Sequence, residues 1–164
     1  PETREAEIAM EPALRIGIDL GGTKIAGIAL DANGMTVAHS RAVAPRNDYR
    51  ATIAAITALI AGMTEDAAEN PRIGIGIPGS VSPATGRVQN ANSTWLNGKP
   101  LKQDLERTLG CPVRIANDAN CFALSEAVDG AGAGAHSVFG VIIGTGCGGG
   151  RRPRCLERAK DRHR

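Results

Sequence analysis

A carboxylate followed at once by a glycine turn stands near the start of the chain, in the sequence DLGGTK at residues 19–24. In such a turn, glycine lets backbone N–H groups approach phosphate oxygens closely. The carboxylate of Asp19 suits Mg²⁺, held through water because this ion keeps much of its hydration shell. The turn therefore indicates a phosphate site, although by itself it fits a simple hairpin with a solvated Asp better.

A second glycine-rich stretch, GTGCGGG at residues 144–150, directly follows an apolar segment. The hydroxyl of Thr145 between two glycines favours a second phosphate-binding loop over the alternative, a flexible linker. The Walker pattern GxxxxGK[ST] occurs nowhere in the chain, and no helical pattern follows the glycines as it does in a dinucleotide-binding fingerprint.

Asp118 stands in the sequence NDAN at residues 117–120, between a predicted strand and a predicted helix. The dipole and free N–H groups of a helix N-terminus favour an ionised carboxylate there. An ionised Asp beside a sugar hydroxyl is suited to act as a general base. The alternative is an ordinary helix cap, which is a common role for Asp and Asn and the better interpretation of this segment alone.

Two polar connections, residues 78–83 and 90–98, are rich in hydroxyl and amide side chains. Neutral hydrogen-bonding groups of this kind suit a sugar. The alternative is a pair of surface loops whose Asn residues cap turns.

These segments lie between the elements of an α/β pattern. Three strands open the chain as an antiparallel meander, and strands then alternate with helices, which is typical of the α/β class. The apolar residues 137–143 predict a buried strand. The predicted strands cover residues 15–20, 24–30, 35–41, 72–77, 86–89, 113–116 and 137–143, and the predicted helices cover residues 48–63, 101–109 and 118–128.

The composition bounds the size and setting of the protein. Its 164 residues suffice for one domain, or for one lobe of a larger protein, and an aromatic content of 2% leaves an aliphatic core. The four cysteines show no CxxC spacing, so they give no zinc signal, and without a signal peptide they suggest reduced thiols in the cytoplasm. No apolar run approaches the roughly 20 residues of a membrane span, so no membrane partner is expected.

The two ends of the chain differ from its middle. We expect residues 1–13 to be a disordered leader. Residues 1–150 carry 12 basic and 15 acidic residues, whereas residues 151–164 carry seven basic and two acidic residues. A basic tail can bind nucleic acid or stay solvated. The abrupt change at Arg151, in the middle of a motif, instead favours an out-of-frame translation, and no nucleic-acid partner is expected.

Taken together and in order, DxGGTK, GIGIPG at residues 74–79, NDAN and GTGxGGG resemble the ROK family of repressors, open reading frames and kinases. The resemblance implies an actin-like ATPase (ribonuclease H-like) fold, with residues 14–150 as its N-terminal lobe, a mixed sheet with flanking helices. The stretch 79–100 is most similar to bacterial fructokinases and mannokinases. It implies phosphoryl transfer from MgATP to the 6-hydroxyl of fructose or a similar hexose, in a cytoplasmic, homodimeric parent enzyme.

The resemblance also implies roles for individual residues. Asp118 matches the catalytic base, and Asp19, which is suited to hold Mg²⁺, belongs to the first phosphate motif. The positions that match contacts with ATP are Asp19, Gly21, Gly22, Thr23, Lys24, Thr145 and Gly146. The positions that match contacts with the sugar are Gly79, Ser80, Asn92, Asn117 and Asp118.

The sequence departs from the family after Gly150. The residues that follow do not match the family's GEWGH-like sugar segment, its CxCGxxGC zinc site or its C-terminal lobe. Because few residues precede Arg15, we do not expect the helix-turn-helix of the family's repressors. We therefore expect this chain alone to lack kinase activity. Two alternatives stay open: a ROK kinase for glucose, mannose or N-acetylglucosamine, and a truncated remnant without catalysis.

Overall fold

A five-stranded mixed sheet lies at the centre of the protein. The computed structural model describes residues 14–64, 71–143 and 147–153. The strands of these residues are β1 (Arg15–Leu20), β2 (Lys24–Leu30), β3 (Thr36–Val43), β4 (Arg72–Ile77), β5 (Ser80–Val81), β6 (Val88–Gln89), β7 (Val113–Asn117), β8 (Ser137–Ile143) and β9 (Cys147–Pro153). The helices are α1 (Tyr49–Thr64), α2 (Leu101–Leu109) and α3 (Asp118–Val128). Strands β1 to β3 form the predicted meander, and β4 and β7 extend it in parallel, in the order β3-β2-β1-β4-β7.

The ends of several elements differ by a few residues from the prediction. Helix α1 begins after Asp48, whose Oδ1 accepts the N–H of Ala51 at 2.9 Å and so caps the first turn. Strand β6 is shorter than predicted because Gly86 has a φ of +67° and its N–H donates to the carbonyl of Ser82 at 2.8 Å, which closes a turn there. Helix α2 ends at Gly110, as predicted, and the structure shows this glycine in the left-handed conformation.

One face of the sheet carries the hydrophobic core. Side chains alternate between the two faces of a strand, and the core-facing positions of β1 and β4 are aliphatic and almost fully buried: Ile16, Ile18, Leu20, Ile73, Ile75 and Ile77. Helix α1 packs closely on β2 at Gly27, where a Cβ would lie only 2.7 Å from Cε of Met63. The burial of this face therefore depends on helices α1 and α2.

Small residues form the middle of the opposite face. Gly17 of β1 pairs with Gly74 of β4, and Gly76 pairs with Ala116 of β7. Helix α3 lies close to this face, since a Cβ on Gly76 would be 3.7 Å from Cα of Asp118. The small side chains leave open space beside α3.

Strands β8 and β9 form a separate hairpin that packs on α3. The prediction of a buried strand at residues 137–143 is wrong in its burial, because Phe139, Val141 and Ile143 are 69%, 48% and 83% exposed. Among the described residues, helix α3 covers the hairpin at Gly140, where a Cβ would lie 2.8 Å from the ring of Phe122. Residues 148–150 belong to β9, so the linker alternative is also wrong for them.

Some predictions lie outside the described residues. They concern the leader at residues 1–13, the roles of Thr145 and Gly146, and the tail beyond Pro153. In the part of the chain that is described, no helix is both long and apolar enough to cross a membrane.

Candidate functional site

The parallel strands β1, β4 and β7 end side by side, and the segments predicted to do chemistry follow these ends. Asp19 lies near the end of β1, residues 78–80 follow β4, and Asp118 begins α3 directly after β7. Ligands of open α/β sheets commonly bind at this edge. The structure therefore brings both predicted carboxylates, the first glycine turn and the first sugar segment to one edge of the sheet.

Asp19 and Asp118 line one cavity of about 1350 Å³. Partial burial raises the pKa of Asp19, the negative charge of Asp118 raises it further, and Lys24 opposes both effects. Among the described residues, no group of three or more His, Cys, Asp or Glu side chains could hold a metal ion by itself. A cation at Asp19 would therefore draw its other ligands from phosphate and water, as Mg²⁺ commonly does.

Asp118 is held by one carboxylate oxygen and open at the other. Its Oδ1 accepts the N–H of Ala119 at 2.8 Å and the side-chain amide of Asn117 at 3.0 Å. The structure records no hydrogen bond to Oδ2 from the described residues. One oxygen therefore fixes the carboxylate while the other is available to a ligand.

Asn117, and not Asp118, caps helix α3. Its Oδ1 accepts the N–H of Asn120 at 3.2 Å, and its Nδ2 donates to the carbonyl of Gly79 and to Asp118, both at 3.0 Å. Because a backbone N–H must meet the oxygen, these contacts also fix the orientation of the amide. Asn117 thus ties the end of β7 to the segment after β4, and its contact with a sugar stays a prediction.

The glycine turn leaves N–H groups open for an anion. The N–H of Gly21 donates to the carbonyl of Lys24 at 3.0 Å, and the carbonyl of Thr23 accepts the N–H of Ala44 at 3.0 Å. The N–H groups of Gly22 and Thr23 have no hydrogen-bond partner among the described residues. A Cβ on Gly21 would lie 2.9 Å from the carbonyl oxygen of Lys24, so the tight turn requires glycine there. This arrangement fits phosphate oxygens.

The two predicted sugar segments pack on each other at Gly79. A Cβ on Gly79 would lie 2.8 Å from Cα of Ala91, and the N–H of Asn92 donates to the carbonyl of Pro78 at 3.0 Å. The side chain of Asn92 is exposed and makes no hydrogen bond with the described residues. Ser80 begins β5 and is half-buried beside this contact.

Sequence reasoning missed the residues that shape the segment at 90–98. Asn97 clamps Ala91, accepting its N–H at 2.9 Å and donating to its carbonyl at 3.1 Å. The indole N–H of Trp95 donates to Oγ1 of Thr52 in α1 at 3.2 Å. The Asn-rich composition indicated a polar loop, but nothing local distinguishes an Asn that binds a ligand from one that holds the loop closed.

Cys121 is a further residue of the cavity that the sequence did not single out. It lies one helical turn after Asp118, and a Cβ on Gly76 would be 3.7 Å from its sulfur. Burial raises the pKa of its thiol, and the charges of Asp118 and Asp19 raise it further. A raised pKa lowers the fraction of nucleophilic thiolate, which suits a residue that forms a wall of the cavity.

Comparison with known proteins links this arrangement to sugar kinases. The model of the ROK family matches residues 15–151. N-acetyl-D-glucosamine kinase of Vibrio vulnificus (strain YJ016) is 43% identical over 134 residues, which are 82% of this chain and 44% of that protein. The same enzyme of Pasteurella multocida (strain Pm70) is 42% identical over 137 residues, 84% of this chain and 45% of that protein. The chain thus spans less than half the length of these curated relatives.

A solved structure agrees with the sequence comparison. The ROK family glucokinase from Streptomyces griseus, in complex with glucose and AMPPNP, superimposes with a TM-score of 0.75 and 35% identity, over 86% of this chain and 46% of that one. The mixed sheet with its helices is accordingly the N-terminal domain of the actin-like ATPase fold, as the motifs implied. Since the family model covers most of its length, this chain belongs to the ROK family.

Proposed function

We propose that the complete protein to which this chain belongs transfers the terminal phosphoryl group of ATP to a hydroxyl group of a hexose. The observation that carries the proposal is the meeting, at one sheet edge, of a turn with open N–H groups and a carboxylate with one open oxygen. Phosphoryl transfer depends mostly on positioning and electrostatic stabilisation, which these groups can supply. The kinases among the relatives support the same activity.

In this proposal Asp118 accepts or orients the proton of the attacking sugar hydroxyl. The bonds to Oδ1 from Ala119 and Asn117 keep the carboxylate from rotating, so its free oxygen stays in one place. A base that is already oriented avoids much of the entropic cost of aligning the reactants.

The glycine turn and Asp19 would hold the phosphates and the metal of MgATP. The N–H groups of Gly22 and Thr23 would donate to phosphate oxygens, and the carboxylate of Asp19 would hold Mg²⁺ through water. Partial burial raises the pKa of Asp19 and the negative charge of Asp118 raises it further, and a cation at this place would offset both effects. When bound, the ion neutralises charge on the transferring group. Thr145 and Gly146 stay predicted as a second set of phosphate contacts.

Two sugars are candidates for the acceptor. N-acetyl-D-glucosamine is the first, because kinases for this sugar are 42–43% identical to the chain over most of its length. Fructose is the second, because the sequence NANSTWLNG at residues 90–98 is similar to that of fructokinases. The comparisons do not support the assignment of fructose.

A substrate panel tests the proposal. The complete protein is assayed with MgATP and N-acetylglucosamine, glucose, mannose or fructose, and ADP release is measured. We expect sugar-dependent turnover, with the highest kcat/KM for N-acetylglucosamine. Failure of all four sugars would contradict the kinase, whereas a preference for fructose would contradict the choice of sugar alone.

The same assay on the 164-residue chain separates an enzyme from a remnant. We expect no measurable turnover, because the chain spans less than half of its relatives' length and residues of β8 such as Ile143, 83% exposed, lack cover. Turnover at the rate of the complete protein would show that this lobe suffices.

A further inference from the structure

Ser93 is a buried serine whose hydroxyl has no partner. The residue is 2% exposed, and its Oγ makes no hydrogen bond with any described residue. It precedes the 3-10 turn Thr94–Leu96, a position where serine hydroxyls often cap free N–H groups. Here the hydroxyl does not cap, and the turn is closed by the N–H of Leu96 donating to the carbonyl of Ser93 at 3.0 Å. The hydroxyl therefore has no local structural role.

A neighbouring hydroxyl shows how unusual this is. Thr52 is as deeply buried, at 1% exposed, but its Oγ1 donates to the carbonyl of Asp48 at 2.7 Å and accepts the indole N–H of Trp95 at 3.2 Å. Buried polar groups in proteins are normally satisfied in this way. The unpaired hydroxyl of Ser93 lowers the stability of the ligand-free protein, so its place calls for an explanation.

The hydroxyl of Ser93 lies directly beside the glycine turn, here called the phosphate turn, at residues 21–23. A Cβ on Gly22 would be 3.7 Å from Oγ of Ser93. Hydrogen bonds anchor the turn on both sides, at the N–H of Gly21 and at the carbonyl of Thr23. The peptide group between these anchors, made of the Gly22 carbonyl and the Thr23 N–H, has no partner among the described residues. The unpaired hydroxyl and the unpaired peptide group are thus neighbours.

We propose that Ser93 is a positioning residue for phosphate binding, and that its hydroxyl donates a hydrogen bond to the carbonyl of Gly22 when the turn receives a phosphate. In a trans peptide the carbonyl and the following N–H point in opposite directions. A Gly22 carbonyl held toward Ser93 therefore directs the N–H of Thr23 toward the ligand. The peptide group between Gly22 and Thr23 must rotate to reach this orientation, and Gly22 permits the rotation because it has no side chain to obstruct it.

Ser93 links the phosphate turn to the predicted sugar segment at residues 90–98. This role rests on the proposed kinase function. Ser93 belongs to the segment at residues 90–98, which Asn97 and Trp95 hold in shape. Its hydroxyl is thus presented to the phosphate turn by the same segment that carries Asn92, the predicted sugar contact. A displacement of this segment would move the hydroxyl away from the turn.

Ser93→Ala in the complete protein tests the inference. We expect the KM for MgATP to rise about fivefold with kcat nearly unchanged, because a bond made in both the bound ground state and the transition state is lost. The melting temperature without ligand should stay the same or rise, because the unpaired hydroxyl is gone. Thr52→Val is the matched stability control, and it should lower the melting temperature because it removes a hydroxyl that is fully bonded.

The outcomes separate the inference from the proposed function. A Ser93→Ala protein that melts earlier with an unchanged KM for MgATP, or that does not fold at all, would show a structural hydroxyl and overturn the inference. An unchanged KM together with an unchanged melting temperature also overturns it. If the unaltered protein phosphorylates none of the four sugars, the proposed function fails and the inference fails with it.

Discussion

Replacement of Gly79 by Ala perturbs the contact between the two predicted sugar segments. The new Cβ would lie 2.8 Å from Cα and 2.9 Å from Cβ of Ala91, and 2.9 Å from the carbonyl oxygen of Gln89. These atoms belong to the backbone or to the first carbon of a side chain, so none can rotate away. The two segments must therefore move apart.

The cost follows from the contacts that this movement strains. Overpacking a well-packed site costs roughly 1–3 kcal/mol, and loss of the hydrogen bond from Asn92 to Pro78 adds about 1 kcal/mol. We expect Gly79→Ala to lower the free energy of unfolding by about 2–4 kcal/mol. The carbonyl of Gly79 also accepts the amide of Asn117, which holds Asp118. Turnover should therefore fall as well.

Two other glycines provide controls for urea unfolding of the complete protein. A Cβ on Gly76 meets its neighbours at 3.7 Å, an ordinary contact, so Gly76→Ala should change stability little. A Cβ on Gly62 in α1 meets nothing within 4 Å, so Gly62→Ala should stabilise the protein by about 0.5–1 kcal/mol through its helix propensity. Equal stability of Gly79→Ala and Gly76→Ala would refute the predicted cost of a Cβ at Gly79.

Three further predictions concern the carboxylates and the tail. Asp118→Asn should lower kcat by roughly 10²- to 10⁴-fold, while sugar binding, measured by calorimetry, persists. Asp129→Asn, at the exposed far end of α3, is the control. Equal turnover of both variants would leave Asp118 without a catalytic role. Because the pKa of Asp19 is raised in the folded state, the ligand-free protein should lose stability as pH rises from the unperturbed pKa of an aspartate through this higher value. Asp19→Asn should flatten that part of the stability–pH curve, and an unchanged curve would contradict the raised pKa of Asp19. The family model also ends at residue 151, so the DNA that encodes residues 151–164 and the stretch after it should be sequenced. In a frame shifted by one nucleotide, we expect an aliphatic strand and, soon after it, a GEWGH-like segment. An early stop codon in that frame would refute the frameshift.

Most of the fold could be predicted because its signals are local. The alternation of Ile16, Ile18 and Leu20 with small or polar residues marks a strand and also indicates which face is buried. The burial of β8 could not be predicted in this way. An apolar run such as residues 137–143 records hydrophobicity but not what covers it, and in the described structure Phe139 and Ile143 face open space.

The site shows the same division between local and long-range information. The motif NDAN left two roles open for its residues, and the structure assigns the helix cap to Asn117, which leaves one oxygen of Asp118 free. The packing of Gly79 on Ala91 joins residues that are 12 positions apart, and the bond from Trp95 to Thr52 joins residues 43 apart. No short pattern specifies such contacts, so the sequence could nominate Gly79 only through its family resemblance.

Some residues of the site have their polar groups paired within the protein, whereas others have a charged or polar group that no described residue pairs. Asn97 and Asn117 use both atoms of their amides within the protein, so they stabilise the ligand-free fold. In contrast, Asp19 is repelled by Asp118, the N–H of Thr23 has no partner in the described structure, and the hydroxyl of Ser93 is buried without one. The repulsion at Asp19 and the buried, unpaired hydroxyl of Ser93 cost folding free energy that a bound cation or phosphate would offset. Binding of MgATP should therefore raise the melting temperature of the complete protein. This rise should be smaller in Ser93→Ala and in Asp19→Asn than in the unaltered protein.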